Sequence, residues 1–117
     1  MMEIEEVGFC FIDDNKKIGC SPDGLNQESK IGFEIKCPKQ STHVKYIVDN
    51  KLPTEYIQQV QGSMMVTGYD SWIFMSYCPG LKSLILEIKR DNEYIEKMET
   101  AINEAVSEID KIEELIK

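Results

Sequence analysis

Ile31-Gly32-Phe33-Glu34-Ile35-Lys36-Cys37-Pro38 (IGFEIKCP) reads as a strand with its own terminator, because Pro38 has no N–H to give to a ladder. Successive side chains of a strand point to opposite faces, so Glu34 and Lys36 share one face while Ile35 takes the other. One surface of a sheet therefore carries a carboxylate and an ammonium side by side.

Upstream, Val7 to Ile12 (VGFCFI) reads as a buried strand, Asp13 to Lys16 as a turn, and Lys17 to Ser21 (KIGCS) as a second strand ending at Pro22-Asp23-Gly24. These two are predicted to form a hairpin, and a polar loop runs through Asn26 to Lys30, so three strands precede the first helix. Downstream, Ser41 to Asp49 is helical in pattern. Pro53-Thr54 opens a stronger helix that runs to about Gly68, its cap. On that helix Ile57, Val60 and Met64 make an apolar row, with Tyr56, Gln59 and Ser63 as a polar row beside it.

Ser71 to Cys78 (SWIFMSYC) and Lys82 to Lys89 (KSLILEIK) are two more strands, joined around Pro79-Gly80 as a hairpin. From Asp91 to about residue 116 the chain is one amphipathic helix, with Ile95, Met98, Ile102, Ala105, Ile109 and Ile112 at three- and four-residue spacing. That spacing fits packing on the sheet and pairing with another chain equally well. The order of elements predicts an α+β (mixed α/β) fold, with a mixed sheet of about five strands flanked by helices and residues 1–117 as a single domain.

A chain of 117 residues with 42% hydrophobic content can fill one core. No stretch approaches the ~18 apolar residues of a membrane span, and residues 1–8 carry three glutamates rather than a basic leader, so a cytoplasmic location without membrane attachment is expected. The cysteines Cys10, Cys20, Cys37 and Cys78 include no close pair of the kind that zinc sites and redox motifs use, and no compact group for an iron-sulphur cluster, so free thiols are expected.

The net charge of -8 argues against a general nucleic-acid binder. Its distribution changes that conclusion. Residues 91–117 hold nine acids and three lysines, whereas the rest of the chain has 12 acids against 10 bases. The acidity is mainly one helix's solvated face.

Asp23, at the turn after a neighbouring strand, can bring a second carboxylate to the end of the sheet that carries Glu34 and Lys36. Two convergent carboxylates beside a lysine form a metal-hydrolysis layout: magnesium takes hard oxygen ligands and needs no histidine. Each piece alone is ordinary, since Asp between Pro and Gly is common turn chemistry and Glu-x-Lys is commonly an exposed ion pair. The single histidine, His43, lies among Ser41, Thr42 and Lys45 and is expected at the surface. Met64 and Met65 read as core filler, and Trp72, Phe74 and Tyr77 as core and sheet surface.

Four ordered motifs go further. Gly19-Cys20-Ser21-Pro22-Asp23-Gly24-Leu25, then Gly32-Phe33-Glu34-Ile35-Lys36-Cys37-Pro38, then Tyr56-x-x-Gln59-Val60-Gln61-Gly62-x-Met64, then Trp72-x-Phe74-x-Ser76-Tyr77 resemble the core motifs of the lambda exonuclease (YqaJ viral recombinase) family. That family belongs to the PD-(D/E)xK nucleases. The resemblance implies a restriction-endonuclease-like core and a magnesium-dependent exonuclease, with manganese as a substitute, acting 5′ to 3′ on double-stranded DNA ends in phage-type recombination.

It also implies that Asp23, Glu34 and the carbonyl of Ile35 hold the metal. Lys36 would orient or help deprotonate the attacking water, Gln59 would join the catalytic group, and Ser21, Tyr56 and Gln61 would meet the substrate. A single-strand annealing protein and a homo-oligomer, the family's ring trimer, are the implied partners, in a bacterial host. Members of the family have a longer region before the position of Asp23, so an N-terminally shortened member is expected. A catalytically impaired form that needs a partner chain is the alternative.

Overall fold

The computed structural model describes residues 10–11 and 19–117. Four strands form one mixed sheet in the order β3 (Gly24–Asn26), β4 (Ile31–Lys36), β5 (Ser71–Ser76) and β6 (Leu84–Lys89). Only β4 and β5 run parallel, because the chain crosses between them through helices α1 (Gln40–Asp49) and α2 (Ile57–Thr67). The other pairs are antiparallel. Separately, β1 (Cys10–Phe11) and β2 (Gly19–Cys20) pair as a short ribbon, with Cys10 opposite Cys20. The rest of the hairpin expected over residues 7–21 lies outside the described residues.

The sequence predicts a turn at Pro22-Asp23-Gly24 and a polar loop through Asn26 to Lys30. In the structure Gly24-Leu25-Asn26 is a strand, hydrogen-bonded to β4 through a tight hairpin in which Asn26 Oδ1 accepts from the Ser29 N–H at 2.7 Å. Three residues are too short a run for period-two alternation to register.

Helix boundaries follow local chemistry. Asn50 and Gly68 adopt left-handed φ angles of 48° and 75°, and their N–H groups close back on Tyr46 and Met64. At the start of α3 (Asn92–Ile116), the Asp91 side chain accepts from the Tyr94 N–H. No helix among the described residues is long and apolar enough to cross a membrane.

Register puts Gly32, Glu34 and Lys36 on the same face as their β5 partners Trp72, Phe74 and Ser76. Helix α2 covers that face, and the core gathers Leu25, Val60, Met64, Met65, Trp72 and Ile95. Trp72 is fully buried, with its indole N–H unpartnered among the described residues, a cost of about 1–3 kcal/mol that its large apolar burial offsets. Its ring lies directly over Gly32, where any Cβ would stand 2.2 Å from ring carbons. One face of the sheet thus runs from a dry core at Gly32 and Trp72 to an increasingly polar end at Glu34 and Lys36.

Candidate active site

The polar end lies at the carboxyl ends of the parallel pair β4 and β5, where open α/β sheets bind their ligands. Asp23 enters it because its own N–H donates to the Phe33 carbonyl at 3.2 Å, extending the β3–β4 ladder by one residue, opposite Glu34. Its carboxylate Oδ2 then accepts the Ile35 N–H at 2.7 Å. The N–H and C=O of one strand residue leave on the same side, so the Ile35 carbonyl also points towards the Asp23 side of β4. Two carboxylates and one carbonyl oxygen converge at this corner.

Glu34 is buried and fully engaged on one oxygen: Oε1 accepts from Gln59 Nε2 at 2.7 Å and lies 3.1 Å from Lys36 Nζ. Burial pushes its carboxyl above the ordinary range, the Lys36 hydrogen bond pulls it back, and the negative charge of Asp23 raises it again. A buried acid held beside a second negative charge makes a place where positive charge is stabilising.

Lys36 is part-exposed and lies 5.0 Å from the centre of the Tyr56 ring. That ring tilts against Phe74 and meets Tyr46 edge-on at 6.3 Å. Tyr46 in turn donates to Glu55 at 2.6 Å, a bond that, with burial, drives its hydroxyl well above the usual tyrosine range. The chain Glu55–Tyr46–Tyr56–Lys36 fixes the ammonium beside Glu34.

The structure therefore brings together Asp23, Glu34, Ile35, Lys36, Tyr56 and Gln59. Ser21 is exposed, on the rim of a cleft of about 290 Å³ that it shares with Cys20, Gln59 and Ser63. Gln61 sits elsewhere. It is buried, its Nε2 donates to the Lys89 carbonyl and its Oε1 accepts the Asp91 N–H. Lys89 pairs with Ser71 and Ser71 with Ile31, the end of the sheet opposite Lys36, so Gln61 joins β6 to α3 and does not face the carboxylates.

His43 corrects a second expectation. It is fully buried rather than at the surface, with Nδ1 2.7 Å from Ser76 Oγ and Nε2 2.7 Å from the Lys82 carbonyl. Tyr46 and Glu55 are the residues that sequence reasoning missed. The available signal was the i, i+3 pair His43 and Tyr46, which are the buried residues of α1 while Val44 and Val48 face solvent. Among the described residues no three His, Cys, Asp or Glu side chains come together as a metal cluster, and the four cysteines are free.

A mixed sheet with two carboxylates and a lysine at the ends of its parallel strands defines an acid-lysine site on an α+β scaffold. Residues 1–70 match the YqaJ-like viral recombinase domain, and the chain belongs to that family. The crystal structure of an alkaline exonuclease (LHK-Exo) from Laribacter hongkongensis superimposes with a TM-score of 0.86 at 34% identity, over 97% of this chain and 60% of that one. The structure of LHK-Exo in complex with dAMP gives 0.86 at 33% identity, over 98% and 60%. The chain thus spans 60% of the length of the exonuclease it matches. No match is found among curated proteins.

Proposed function

We propose that this chain is the catalytic core of a divalent-metal-dependent DNA exonuclease working in recombination, hydrolysing linear duplex from its ends, 5′ to 3′. The observation that carries the reading is the convergence of Asp23 and Glu34, with Lys36 against Glu34. An exonuclease as structural relative, one form of it bound to a deoxynucleoside monophosphate, supports the substrate class.

The donor chemistry fits magnesium, with manganese as a substitute: two carboxylates and the Ile35 carbonyl are hard oxygens, few enough to leave positions for water and phosphate. Asp23, Glu34 and Ile35 would hold the ion. When bound, it supplies Lewis-acid charge to the scissile phosphate and a more acidic water.

Lys36 orients the attacking water and offsets charge developing on the phosphate. Gln59 holds Glu34 in one rotamer, and Tyr56 limits the sweep of the Lys36 side chain. Water oxygen bonds to phosphorus, the P–O3′ bond breaks, and the departing 3′ oxygen takes a proton. The terminal nucleotide leaves as a 5′-monophosphate. A ring-forming homo-oligomer and a single-strand annealing partner belong to the same reading.

The test is digestion of a linear 5′-phosphorylated duplex with magnesium, manganese or chelator, alongside Asp23→Ala and Lys36→Ala. Metal-dependent nucleotide release lost in both variants supports the assignment, and unchanged activity in Lys36→Ala refutes the site. A second reading is a metal-binding subunit completed by a partner chain. Metal binding without turnover distinguishes it.

A further inference from the structure

Helix α3 has two halves with different surroundings. Its first half packs on α2: Ile95 is buried, and Met98 and Ile102 are half-buried against the core. Every residue from 107 to 117 is exposed, so the second half projects about 16 Å beyond the domain. The apolar stripe does not stop where the domain does. Ile109 is 49% exposed, Ile112 55% and Ile116 78%, with Leu115 beside them at 83%.

The stripe follows a strict heptad. Ile95, Ile102, Ile109 and Ile116 recur every seven residues, with Met98, Ala105 and Ile112 three residues after the first three of them. Those are the a and d positions of a coiled-coil seam. A seam that ran on only to cover α2 would end near Ile102, where α2 contact ends.

Charge decides what can occupy it. The positions flanking the seam, e and g, carry Tyr94, Glu99, Ala101, Val106, Glu108, Glu113 and Leu115, so every charge among them is acidic. Lys97, Lys111 and Lys117 sit at outer positions, turned onto Glu93, Glu108 and Glu114 of their own helix in exposed pairs of 3.6 to 4.0 Å. A second copy in parallel would set Glu108 against Glu113, acid against acid, and two copies paired in either direction bring no base to an e or g position.

We propose that the projecting half of α3 is one strand of a heteromeric coiled coil, built to receive a helix of another polypeptide with apolar a and d residues and lysine or arginine at e and g. The partner's basic flanks neutralise Glu99, Glu108 and Glu113, and its apolar seam covers Ile109, Ile112 and Ile116. This surface is independent of the Asp23–Glu34–Lys36 corner and stands or falls without it.

The experiment uses the whole chain and two synthetic helical peptides of about four heptads, both with Ile at a and Leu at d, one with Lys and one with Glu at e and g. Binding is followed by fluorescence anisotropy. The Lys peptide is expected to bind at micromolar concentration, with affinity falling between about 0.05 M and 0.5 M salt, and the Glu peptide about tenfold or more weaker. Ile109→Asp/Ile112→Asp should abolish binding with the circular dichroism melt unchanged, since both side chains are already exposed. Equal binding of the two peptides, no binding of the Lys peptide, or survival of binding in the double variant overturns the proposal. So does a stable homo-oligomer that this variant dissolves.

Discussion

The carboxamide of Gln59 donates to Glu34 Oε1 across 2.7 Å, the same oxygen that Lys36 Nζ approaches at 3.1 Å. Holding one oxygen from α2 and from β4 at once fixes the carboxylate's rotamer. Gln59→Ala should release that rotamer. Loss of such an outer hydrogen bond typically costs about 10- to 100-fold in metal affinity or activity. The expected result is a rise in the metal concentration for half-maximal nucleolysis, with DNA affinity in chelator unchanged. A variant that matches wild type across a manganese titration would remove Gln59 from the machinery.

Glu34 carries a stability cost of its own. Its folded-state pKa is raised, by burial first, so whatever stability its protonated form contributes is present below the unfolded pKa and is lost as pH rises through the folded value. At neutral pH a buried charge is held beside Asp23. Glu34→Gln keeps the shape and the Gln59 contact while removing that charge, and should raise the melting temperature in chelator by about 2 to 5 °C at pH 7.5. The gain should shrink towards pH 4.5, and catalysis should vanish. Melting curves at the two pH values decide it, and a lower melting temperature at pH 7.5 would show that the Lys36 bond outweighs desolvation.

The sequence made the helices and the long strands legible, because α2, α3, β4, β5 and β6 each have a period, a stop residue or both, such as Pro38, Gly68 and Asp91. The grouping of Asp23, Glu34, Lys36, Tyr56 and Gln59 at one end of the sheet was legible too, through the Pro22-Asp23-Gly24 turn, strand alternation and a helical polar row. What escaped was set by neighbours that periodicity does not see. Gln61 lies two residues after Gln59, on another side of α2, and is occupied by the β6–α3 junction. His43 sits in a polar stretch that reads as surface, yet two polar partners far along the chain admit it to the interior.

Those partners define the role of His43. The Lys82 carbonyl can only accept, so Nε2 carries a hydrogen, and in the neutral ring Nδ1 accepts from the Ser76 hydroxyl. Ser76 is the cross-strand partner of Lys36, so the histidine ties α1 to the end of β5 beside the site. His43→Ala leaves a cavity and strips the buried Ser76 hydroxyl of its partner, the latter alone costing about 1–3 kcal/mol. A loss of about 10 °C or more in melting temperature is expected. Ser76→Ala, which removes one partner, should cost roughly half as much. If His43→Ala melted like wild type, the buried bonding would have to be abandoned.

Thiol chemistry separates the four cysteines by surroundings rather than by sequence. Burial, and next the neighbouring Cys10 across the β1–β2 ribbon, push the Cys20 thiol from 9.0 up to about 11, against a hydrogen bond with Ser63 that lowers it. Only the thiolate reacts, so at pH 8 about one Cys20 in a thousand is in the reactive form. Cys37 is exposed at the end of β4 and should be alkylated first by iodoacetamide at pH 8. Cys20 should lag it by about tenfold or more, and the gap should narrow as pH rises through 11. The same raised value means that the stability Cys20 contributes as a thiol is intact below the unfolded pKa and falls away above it. Peptide mass mapping of a labelling time course gives the order directly, and labelling of Cys20 ahead of Cys37 would show that the cleft beside Gln59 does not shield it.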